Sequence, residues 1–429
     1  MFRNLFNIEN TQIAYYNMES GWELGITEAG KSIEQKVVYQ TSDTYFLIDR
    51  FFKTADILEE VWLKGRGLKN GIRRDYERKM AEFWKVHQQA GKDFGRDSDI
   101  AIDSNGYPHI SYINFTDWDL WYAKWDGTNW ITEPVDVGAI EVGQWSEIVL
   151  LDGLPHIFYC DRSNFNLKHA WKNTANGSWN IESVKTAAGL SDVDCIHQSV
   201  VKDGLGRVHI IYGAWPGVRY LVYDKNNGYI TKTYLETSNY IYHTDITLDS
   251  NNYPHISYFD WTAMQYRYKK WDGAQWLGAS TIDNESIQNW QEYTNLVLDT
   301  SQNPPIPHVA YSFNNNPNNV IKYAKYNGST WDIETVETNY YQDWSNDAMV
   351  WYKNKPWIIY TKNDSLSLIL KRKSIYGWEE LKLDKSSSEK KTGWTPAIFE
   401  DVLKNVHISY FGNADTSLKY AKLEPWWLY

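Results

Sequence analysis

Several classes of protein are excluded by what this chain lacks. Two cysteines in 429 residues are too few for a scaffold held together by disulfides. No apolar run approaches the roughly 20 residues that a transmembrane helix needs. The first residues, MFRNLFNIENTQ, contain no apolar segment of the kind found in signal peptides. The sequence therefore predicts no membrane span, and it leaves open the cytoplasm, export by a non-classical route and a mature form without its leader.

Basic residues are also scarce. The chain has 43 Lys and Arg against 54 Asp and Glu, a formal net charge of −11. Proteins that bind nucleic acid carry a basic surface that matches the phosphate backbone, so general nucleic-acid binding is excluded. Aromatic residues, in contrast, are abundant, with 23 Trp and 32 Tyr. Much of this excess recurs at regular intervals.

One short frame recurs seven times along the chain. It reads PHISY, PHIFY, VHIIY, PHISY, PHVAY, PWIIY and VHISY, with its second residue at positions 109, 156, 209, 255, 308, 357 and 407. The steps between these positions are 47, 53, 46, 53, 49 and 50 residues, a period typical of propeller and solenoid repeats. Six of the ten histidines lie in this frame, and Trp357 replaces the seventh.

Each repeat has the pattern of four short antiparallel strands. In the first repeat, SDIAID, PHISYIN, LWYAKW and WITEPVDV alternate apolar and polar residues, and Asn-Gly or Asp-Gly turns lie between some of them. Four such strands are typical of one blade of a β-propeller. We predict seven blades, at about 97–138, 145–187, 194–238, 243–284, 291–339, 343–386 and 393–429.

The last predicted blade lacks its outermost strand, because LKYAKLEPWWLY is followed by no fourth strand. A ring with an open edge would expose unpaired backbone groups. Residues 12–30 resemble the third and fourth strands of a blade. We therefore assign residues 1–30 to ring closure, and predict that Trp22–Glu28 or a neighbouring strand completes the last blade.

Residues 31–96 do not match the repeat and are predicted to form a locally basic insertion. Residues 36–51 suit a β-hairpin, which could instead belong to an eighth blade, and residues 55–63 suit a short helix. Over residues 72–90, Ile72, Tyr76 and Trp84 fall on one helical face with basic residues opposite. The apolar stripe of this helix is expected to pack on the propeller. Docking of a protein partner through residues 54–91 is the alternative.

The frame, followed by LKYA and by DGxxW, resembles tandem repeats of prokaryotic surface-associated propeller proteins. DGTNW and DGAQW also resemble a relaxed form of the Asp-box in sialidase-type (BNR) propellers, although the spacing and the serine differ. The resemblance covers about three quarters of the chain. It implies an all-β propeller and no single activity, since this architecture carries lectins, hydrolases, lyases and scaffolds.

The repeated side chains are expected to be structural. The frame histidine lies on the second strand, one step out from the axis, so the six rings cannot converge on one metal ion at about 2.0–2.1 Å. We therefore predict buried, hydrogen-bonded histidines. The tryptophans that follow the turn between the third and fourth strands should fill the gaps between blades. Turns such as DSNGYP (103–108) lack the spacing of an EF-hand, so no cofactor is expected, with calcium as the alternative.

Functional residues are expected where the repeat does not account for the side chain. In a propeller, the loops before the first strand and between the second and third strands surround one mouth of the central channel, and we call this side the loop face. Aromatic rings stack on sugar rings, and planar polar groups bind the hydroxyls. The candidate ligand-binding residues are Trp118, Glu147, Arg162, His197, Trp215, Arg219, His243, Trp261, Glu292 and Asp347. This set predicts a lectin-like protein that recognises a glycan.

An enzyme on the same face is the alternative. The third repeat resembles propeller polysaccharide lyases, which implies His197 as the base, Arg219 as the group that neutralises a uronate and Tyr242 as the acid. A glycoside hydrolase would need two facing carboxyl groups. Candidates for that pair are Glu147, Asp161, Asp245, Glu292 and Asp347. Cys160 and Cys195 fall on this face of adjacent blades, where a disulfide and two buried thiols both remain open.

Overall fold

The computed structural model describes most of residues 81–423 and four strands before them. The described ranges are 2–8, 11–18, 21–28, 31–35, 81–138, 141–190, 195–214, 216–237, 239–284, 293–315, 318–338, 348–362, 367–374, 377–385, 392–412 and 415–423. The chain divides into two compact units, one formed by residues 1–80 with 424–429 and the other by residues 81–423.

The described strands of the first unit form one antiparallel sheet. They are β1 (Phe2–Ile8), β2 (Thr11–Met18), β3 (Gly21–Glu28) and β4 (Lys31–Gln35). The strands pair in sequence order. Only two residues separate each strand from the next, so each hairpin closes with the least loss of chain entropy.

The described residues of the second unit form seven four-stranded antiparallel sheets, which are the blades. Blade 1 comprises β6 (Phe94–Ile102), β7 (Pro108–Asn114), β8 (Asp119–Trp125) and β9 (Trp130–Asp136). Blade 2 comprises β10 (Val142–Leu151), β11 (Leu154–Asp161), β12 (Asn166–Lys172) and β13 (Trp179–Ser183). Blade 3 comprises β14 (Ile196–Lys202), β15 (Val208–Gly213), β16 (Val218–Asp224) and β17 (Gly228–Glu236).

The remaining blades have the same order. Blade 4 comprises β18 (Ile241–Leu248), β19 (Pro254–Asp260), β20 (Gln265–Lys270) and β21 (Ser280–Asp283). Blade 5 comprises β22 (Tyr293–Asp299), β23 (Ile306–Asn315), β24 (Asn318–Tyr326) and β25 (Trp331–Glu337). Blade 6 comprises β26 (Ala348–Tyr352), β27 (Lys355–Lys362), β28 (Ser367–Ser374) and β29 (Gly377–Lys385). Blade 7 comprises β30 (Thr392–Glu400), β31 (Val406–Gly412) and β32 (Ser417–Leu423), completed by β5 (Ala81–His87).

The first strand of every blade lies innermost. These inner strands contact one another in the order β6, β10, β14, β18, β22, β26 and β30, and β30 returns to β6. The ring is therefore closed around a central channel. The prediction of a seven-bladed β-propeller with four-stranded antiparallel blades is confirmed.

Ring closure uses an amino-terminal strand, as predicted, but not the predicted one. β5 pairs antiparallel with β32, with Trp84 opposite Tyr420. The assignment of Trp22–Glu28 to this role was wrong, because those residues lie in β3 between β2 and β4. Short turns make the local pairing of β2, β3 and β4 available before any distant strand is reached.

The helix predicted over residues 72–90 is contradicted over 81–87, which form β5. In this strand Val86 is buried, whereas Phe83 is 44% exposed and Lys85 is exposed, so the side chains alternate. Phe83, Trp84 and His87 match the ring-bearing stripe of a helix as well as they match a strand, and pairing with the edge of β32 decides the outcome. Residues 72–80, the predicted hairpin at 36–51 and the helix at 55–63 lie outside the described residues.

Helical structure is minor in the described part of the chain. Its one helix, α1 (Val184–Ala188), follows β13, with Ser183 as the N-cap and Gly189 at φ 62° as the C-cap. Among the described residues, no helix has the length and apolar character needed to cross a membrane.

The frame histidines are buried and hydrogen-bonded, as predicted. In five blades the ring Nδ1 bonds to a tyrosine hydroxyl on the third strand; these pairs are His109–Tyr122, His209–Tyr220, His255–Tyr268, His308–Tyr323 and His407–Tyr420. In blades 3 and 7 the ring Nε2 also lies 3.3 Å from Asp203 and 3.0 Å from Asp401 in the first turn. The histidine therefore fastens the first turn to the third strand.

The hairpin tryptophans pack edge-on against those same tyrosines of the preceding blade. Ring centroids are 5.2–5.4 Å apart in the pairs Trp130–Tyr420, Trp179–Tyr122, Trp276–Tyr220, Trp331–Tyr268 and Trp378–Tyr323. Blade 3 has no such tryptophan, and blade 2 has His169 in place of the tyrosine. There Glu182 contacts His169 at 3.0 Å and accepts a hydrogen bond from Tyr229 at 3.3 Å. The tryptophans thus fill the blade junctions.

A carboxylate at the end of the fourth strand, buried in blades 4 and 5 and half-buried in blades 1, 3 and 6, joins each of these five blades to the next. It accepts a hydrogen bond from the frame tyrosine in the pairs Tyr159–Asp136, Tyr258–Glu236, Tyr311–Asp283, Tyr360–Glu337 and Tyr410–Asp384. A third-strand lysine lies beside each carboxylate; these are Lys168, Lys269, Lys322, Lys371 and Lys419. At ring closure His87 takes the place of the acid, 2.7 Å from the Tyr112 hydroxyl.

Cys160 and Cys195 form a disulfide. Cys160 lies near the end of β11, and Cys195 directly precedes β14. The bond therefore links blades 2 and 3 beside the loop face.

Candidate functional site

Alternate side chains of the inner strands face the axis of the ring. Two positions near the start of each strand, separated by one residue, form two layers of side chains around the channel. The upper layer, nearer the loop face, contains Asp97, Trp145, His197, His243 and Tyr293. The lower layer contains Asp99, Glu147, Ser199, Asp245, Asn295, Ala348 and Ala397.

The upper layer lies on a repeated backbone distortion. Asp97, Trp145, His197 and His243 have φ between 44° and 51°, and each lies at a register shift between the first and second strands. A left-handed conformation costs a non-glycine residue about 1–2 kcal/mol. The next blade offsets part of this cost, because the Ser146 hydroxyl donates to the Asp97 carbonyl at 3.1 Å and the Thr244 hydroxyl donates to that of His197 at 2.7 Å. The distortion turns four side chains of different chemistry toward the channel.

Four aromatic rings form a continuous arc across blades 2 to 5. The centroids of Trp145 and His197 are 4.1 Å apart, those of His197 and His243 are 3.6 Å apart, and those of His243 and Tyr293 are 4.3 Å apart. We call these four residues the aromatic arc. Burial lowers the pKa of His243 to about 3 and that of His197 well below its ordinary value, with help from the neighbouring ring. Both histidines are therefore neutral at physiological pH.

The lower-layer carboxylates have a structural role toward the next blade. An innermost strand has one edge of unpaired N–H groups. Asp99 accepts the backbone N–H of Ile148 at 2.8 Å, and Glu147 accepts that of Val200. Asp245 accepts the N–H of Leu296 and, at 2.8 Å, the Ser199 hydroxyl. These bonds account for part of the acceptor capacity of each carboxylate.

The same carboxylates have raised pKa values. Burial, together with repulsion from Asp245, raises the pKa of Asp99 to about 7. Burial raises the pKa of Asp245 to about 6. The pKa of Glu147 rises well above its ordinary value through burial and through repulsion from Asp99 and Asp245. At neutral pH the lower layer therefore contains both protonated and ionised carboxyl groups, which can donate as well as accept hydrogen bonds.

The two layers enclose a cavity of about 280 Å³. Room for it arises on one side, because Ala348 and Ala397 occupy lower-layer positions where other blades carry Asp, Glu, Ser or Asn. Pro396 and Met349 complete that apolar side. Within the described part of the chain, no lysine or arginine lines the cavity.

Three of the predicted ligand-binding residues, Glu147, His197 and His243, lie together in this cavity. Arg162 is exposed at the end of the second strand of blade 2, close enough to His197 to lower its pKa further. Arg219 is not in the cavity. It is buried, donates to the Glu236 carbonyl at 3.3 Å and stacks on Tyr234 at 4.2 Å.

The remaining predicted residues lie on the loop face or outside the described residues. Trp261 packs against Tyr242 with ring centroids 5.9 Å apart, and Trp118 packs against Phe115 at 4.2 Å. Neither pair lines the cavity. Trp215, Glu292 and Asp347 lie outside the described residues.

Tyr293, Asp97 and Asp99 line the cavity but were absent from the predicted set. Their signal in the sequence is a spacing, since Asp97-x-Asp99, Trp145-x-Glu147, His197-x-Ser199, His243-x-Asp245 and Tyr293-x-Asn295 all start an inner strand. Residues two apart on a strand point the same way.

The turns considered for calcium are closed by their own backbone. Asp103 accepts the N–H groups of Asn105 and Tyr107, and Asp249 accepts those of Asn251 and Tyr253. Within the described ranges, no group of three or more His, Cys, Asp or Glu side chains is arranged to hold a metal ion.

No protein-family model and no curated protein matches this sequence. Solved structures resemble it at low sequence identity. AofleA from Arthrobotrys oligospora is 11% identical over 72% of this chain and 90% of its own, with a TM-score of 0.47. Polysaccharide lyase Uly1 is 8% identical over 76% of this chain and 89% of its own, with a TM-score of 0.47. The Aleuria aurantia lectin, in a complex with alpha-methyl-L-fucoside, is 11% identical over 72% and 99%, with a TM-score of 0.45.

Proposed function

We propose that this propeller recognises a carbohydrate at the loop-face mouth of its central channel. The observation that carries the proposal is the aromatic arc beside the carboxyl groups of the lower layer. Sugars present apolar ring faces, which pack on aromatic groups, and hydroxyls, which need donors and acceptors at short range. The cavity of about 280 Å³ lies at the lower end of the range for small-molecule sites, so it would take one sugar unit.

His243 supports a polar ligand. It is 5% exposed and lines the cavity, and its ring nitrogens make no hydrogen bond to any described residue. A sugar hydroxyl in the cavity would give these nitrogens a hydrogen-bond partner.

The proposal is tested by glycan-array binding of the wild type and of His243→Phe, which keeps the ring but removes both nitrogens. Loss of one or two hydrogen bonds to a neutral ligand should weaken binding about tenfold. Ile131→Ala, on the outer strand β9 with 49% of the residue exposed, is the control and should bind as the wild type does. Absence of any bound glycan, or equal binding by wild type and His243→Phe, would count against the channel site.

A glycoside hydrolase is the second candidate. Its support is the set of carboxyl groups of Asp99, Glu147 and Asp245 in one cavity, where burial and mutual repulsion raise the pKa of Glu147 well above its ordinary value, as a general acid requires. Release of nitrophenol from a panel of nitrophenyl glycosides, lost in Glu147→Gln, would establish it. Binding without any release would leave a lectin-like protein.

The lyase alternative has less support. A lyase base acts beside a uronate carboxylate, whose charge needs a nearby cation. Arg219 is engaged with β17, and the cavity presents carboxylates, which repel a uronate. A scaffold that docks through the segment 54–91 remains a third proposal. Part of its helix, residues 81–87, is instead the closing strand, so its test is a partner lost on alteration of residues 54–80 alone.

A further inference from the structure

Among the residues that the structure describes, the cavity lining contains several carboxyl groups and no lysine or arginine. Asp97, Asp99, Glu147 and Asp245 contribute four carboxyl groups from blades 1, 2 and 4. The arginine next to them in sequence, Arg96, forms an ion pair with Asp93 at 2.8 Å. It also stacks on Phe115 at 4.0 Å. Burial raises the pKa values of Glu147 and Asp99, and repulsion among the carboxyl groups adds to the shift.

The hydrogen bonds to the next blade do not fully occupy these carboxylates. An ionised carboxylate has about four acceptor sites, and the described bonds to Asp99 are the N–H groups of Ile148 and Ile100. A group with several N–H donors and a positive charge would match the remaining sites. The primary ammonium group is such a donor, with three N–H bonds in a compact volume.

The aromatic arc provides a second and independent feature for a cation. Electron-rich ring faces of Trp145 and Tyr293 attract cations within about 6 Å. His197 and His243 do not oppose this, since both are neutral. His243 also places at the cavity ring nitrogens that bond to no residue in the part of the chain that the structure describes. Ala348, Ala397 and Pro396 supply an apolar wall on the other side, against which the carbon frame of a ligand can pack.

We propose that the group entering the channel is a protonated amine, presented by an amino sugar with a free amino group. This inference rests on the proposed carbohydrate site and names its ligand class. The same chemistry occurs in free polyamines, so the test includes one. The amine would lie toward the lower-layer carboxylates, and the sugar ring would lie toward the aromatic arc.

The proposal predicts pH-dependent binding. The titratable groups that face the cavity are Asp97 and Asp99 on β6, Glu147 on β10, His197 on β14, His243 and Asp245 on β18, and Tyr293 on β22; Arg162 acts on His197 from the loop face. As pH falls through about 7 and about 6, Asp99 and Asp245 take up protons. Affinity for an amine that stays protonated throughout this range, as spermidine does, should therefore fall on acidification, whereas a neutral sugar should bind independently of pH.

The experiment is isothermal titration of the full chain with three probes at pH 6.5, where the amino-sugar amine carries its proton. They are a glucosamine oligosaccharide, the matched N-acetylglucosamine oligosaccharide, in which the amine is neutral, and spermidine. We expect the glucosamine oligosaccharide to bind about 30-fold or more tightly than its acetylated match. Asp245→Asn should remove most of that difference, and Asp126→Asn, in an exposed turn of blade 1, should not.

Each outcome decides something different. Equal binding of both oligosaccharides, unaffected by Asp245→Asn, would overturn the amine inference and leave the carbohydrate proposal intact. Spermidine binding as tightly as the glucosamine oligosaccharide would overturn the sugar part. Binding of none of the probes would overturn the inference, while the glycan array separately decides the carbohydrate site. If Asp245→Asn does not fold, Ala348→Leu fills the cavity from the opposite side and should abolish amine binding.

Discussion

The junction between blades 5 and 6 gives a sharp test of how the ring is held together. Glu337, at the end of β25, is 8% exposed. Its carboxylate accepts a hydrogen bond from the Tyr360 hydroxyl at 2.8 Å, and lies 3.1 Å from Lys371 and 3.3 Å from Lys362. Replacement by glutamine keeps the volume and one acceptor but removes the charge that the two lysines face.

The size of the effect follows from the pKa. The tyrosine and lysine partners outweigh burial and lower the pKa of Glu337 from 4.5 to about 2. This difference corresponds to about 3 kcal/mol, at roughly 1.4 kcal/mol per pH unit. Since the glutamine oxygen still accepts from Tyr360, we expect Glu337→Gln to lower the free energy of unfolding by about 2–3 kcal/mol at pH 7.

The assay is urea unfolding followed by tryptophan fluorescence, with Glu380→Gln as control. Glu380 contacts the same Lys362 at 2.9 Å but is 39% exposed in its side chain, so its loss should cost under about 1 kcal/mol. The charge of Glu337 stabilises the fold above pH 4.5, and this contribution is lost as pH falls toward 2. The difference between wild type and Glu337→Gln should therefore shrink over that range. Equal effects of the two variants, or a difference that does not change with pH, would refute the argument.

Three further predictions concern the repeats and the disulfide. Burial lowers the pKa of His109, His255 and His308 to about 4. Each neutral ring should therefore stabilise the fold above pH 6.5, and this contribution should be lost as pH falls to 4. A urea midpoint that stays constant from pH 7 to 4.5 would contradict this. Trp179→Ala should lower the free energy of unfolding by about 2–4 kcal/mol, measured with urea, because it opens the junction between blades 1 and 2. A decrease below about 1 kcal/mol would show that the Trp179 ring fills no essential gap. The disulfide closes a loop of 35 residues, so its reduction should lower the free energy of unfolding by about 4 kcal/mol. The loss should appear as a lower melting temperature in dithiothreitol. An unchanged melting temperature would contradict the link between blades 2 and 3.

The blade architecture was predictable because recurring residues mark the strands and turns of each repeat. The frame histidine needs a tyrosine on the third strand and, in some blades, an acid in the first turn, so the same residues recur at the same spacing. Even its exception has a partner, since Trp357 packs on Tyr352 of the neighbouring strand at 4.5 Å. Repetition therefore marked the structural side chains and left the others as candidates.

Ring closure was not predictable in detail. The strand Ala81–His87 has a sequence, AEFWKVH, whose apolar residues suit either period. Its structure depends on an edge, that of β32, which lies more than 300 residues away in sequence. Local pattern alone cannot weigh such a contact against a helix. The missing fourth strand of blade 7 predicted that some strand must pair with β32. It did not indicate which strand would do so.

The candidate site was predictable in part for a similar reason. His197 and His243 stood out because the repeat does not explain them, and both line the cavity. Arg219 stood out equally and faces Tyr234 and β17 instead. His197 and His243 lie on inner strands, whereas Arg219 lies on β16, the third strand of blade 3. Only the inner strand faces the axis. The number of residues between an inner-strand position and the frame histidine gives the register of the inner strand. That register would have distinguished the two histidines from Arg219.

The most direct test of the central claim is to fill the channel and measure what still binds. Ala348→Leu places a larger side chain in the lower layer, and Ala274→Leu, in an exposed turn of blade 4, is the matched control. On a glycan array, the account predicts that glycans bound by the wild type and by Ala274→Leu are lost in Ala348→Leu, with the fold verified by its melting temperature. Undiminished binding by a folded Ala348→Leu variant would contradict a ligand site in the channel.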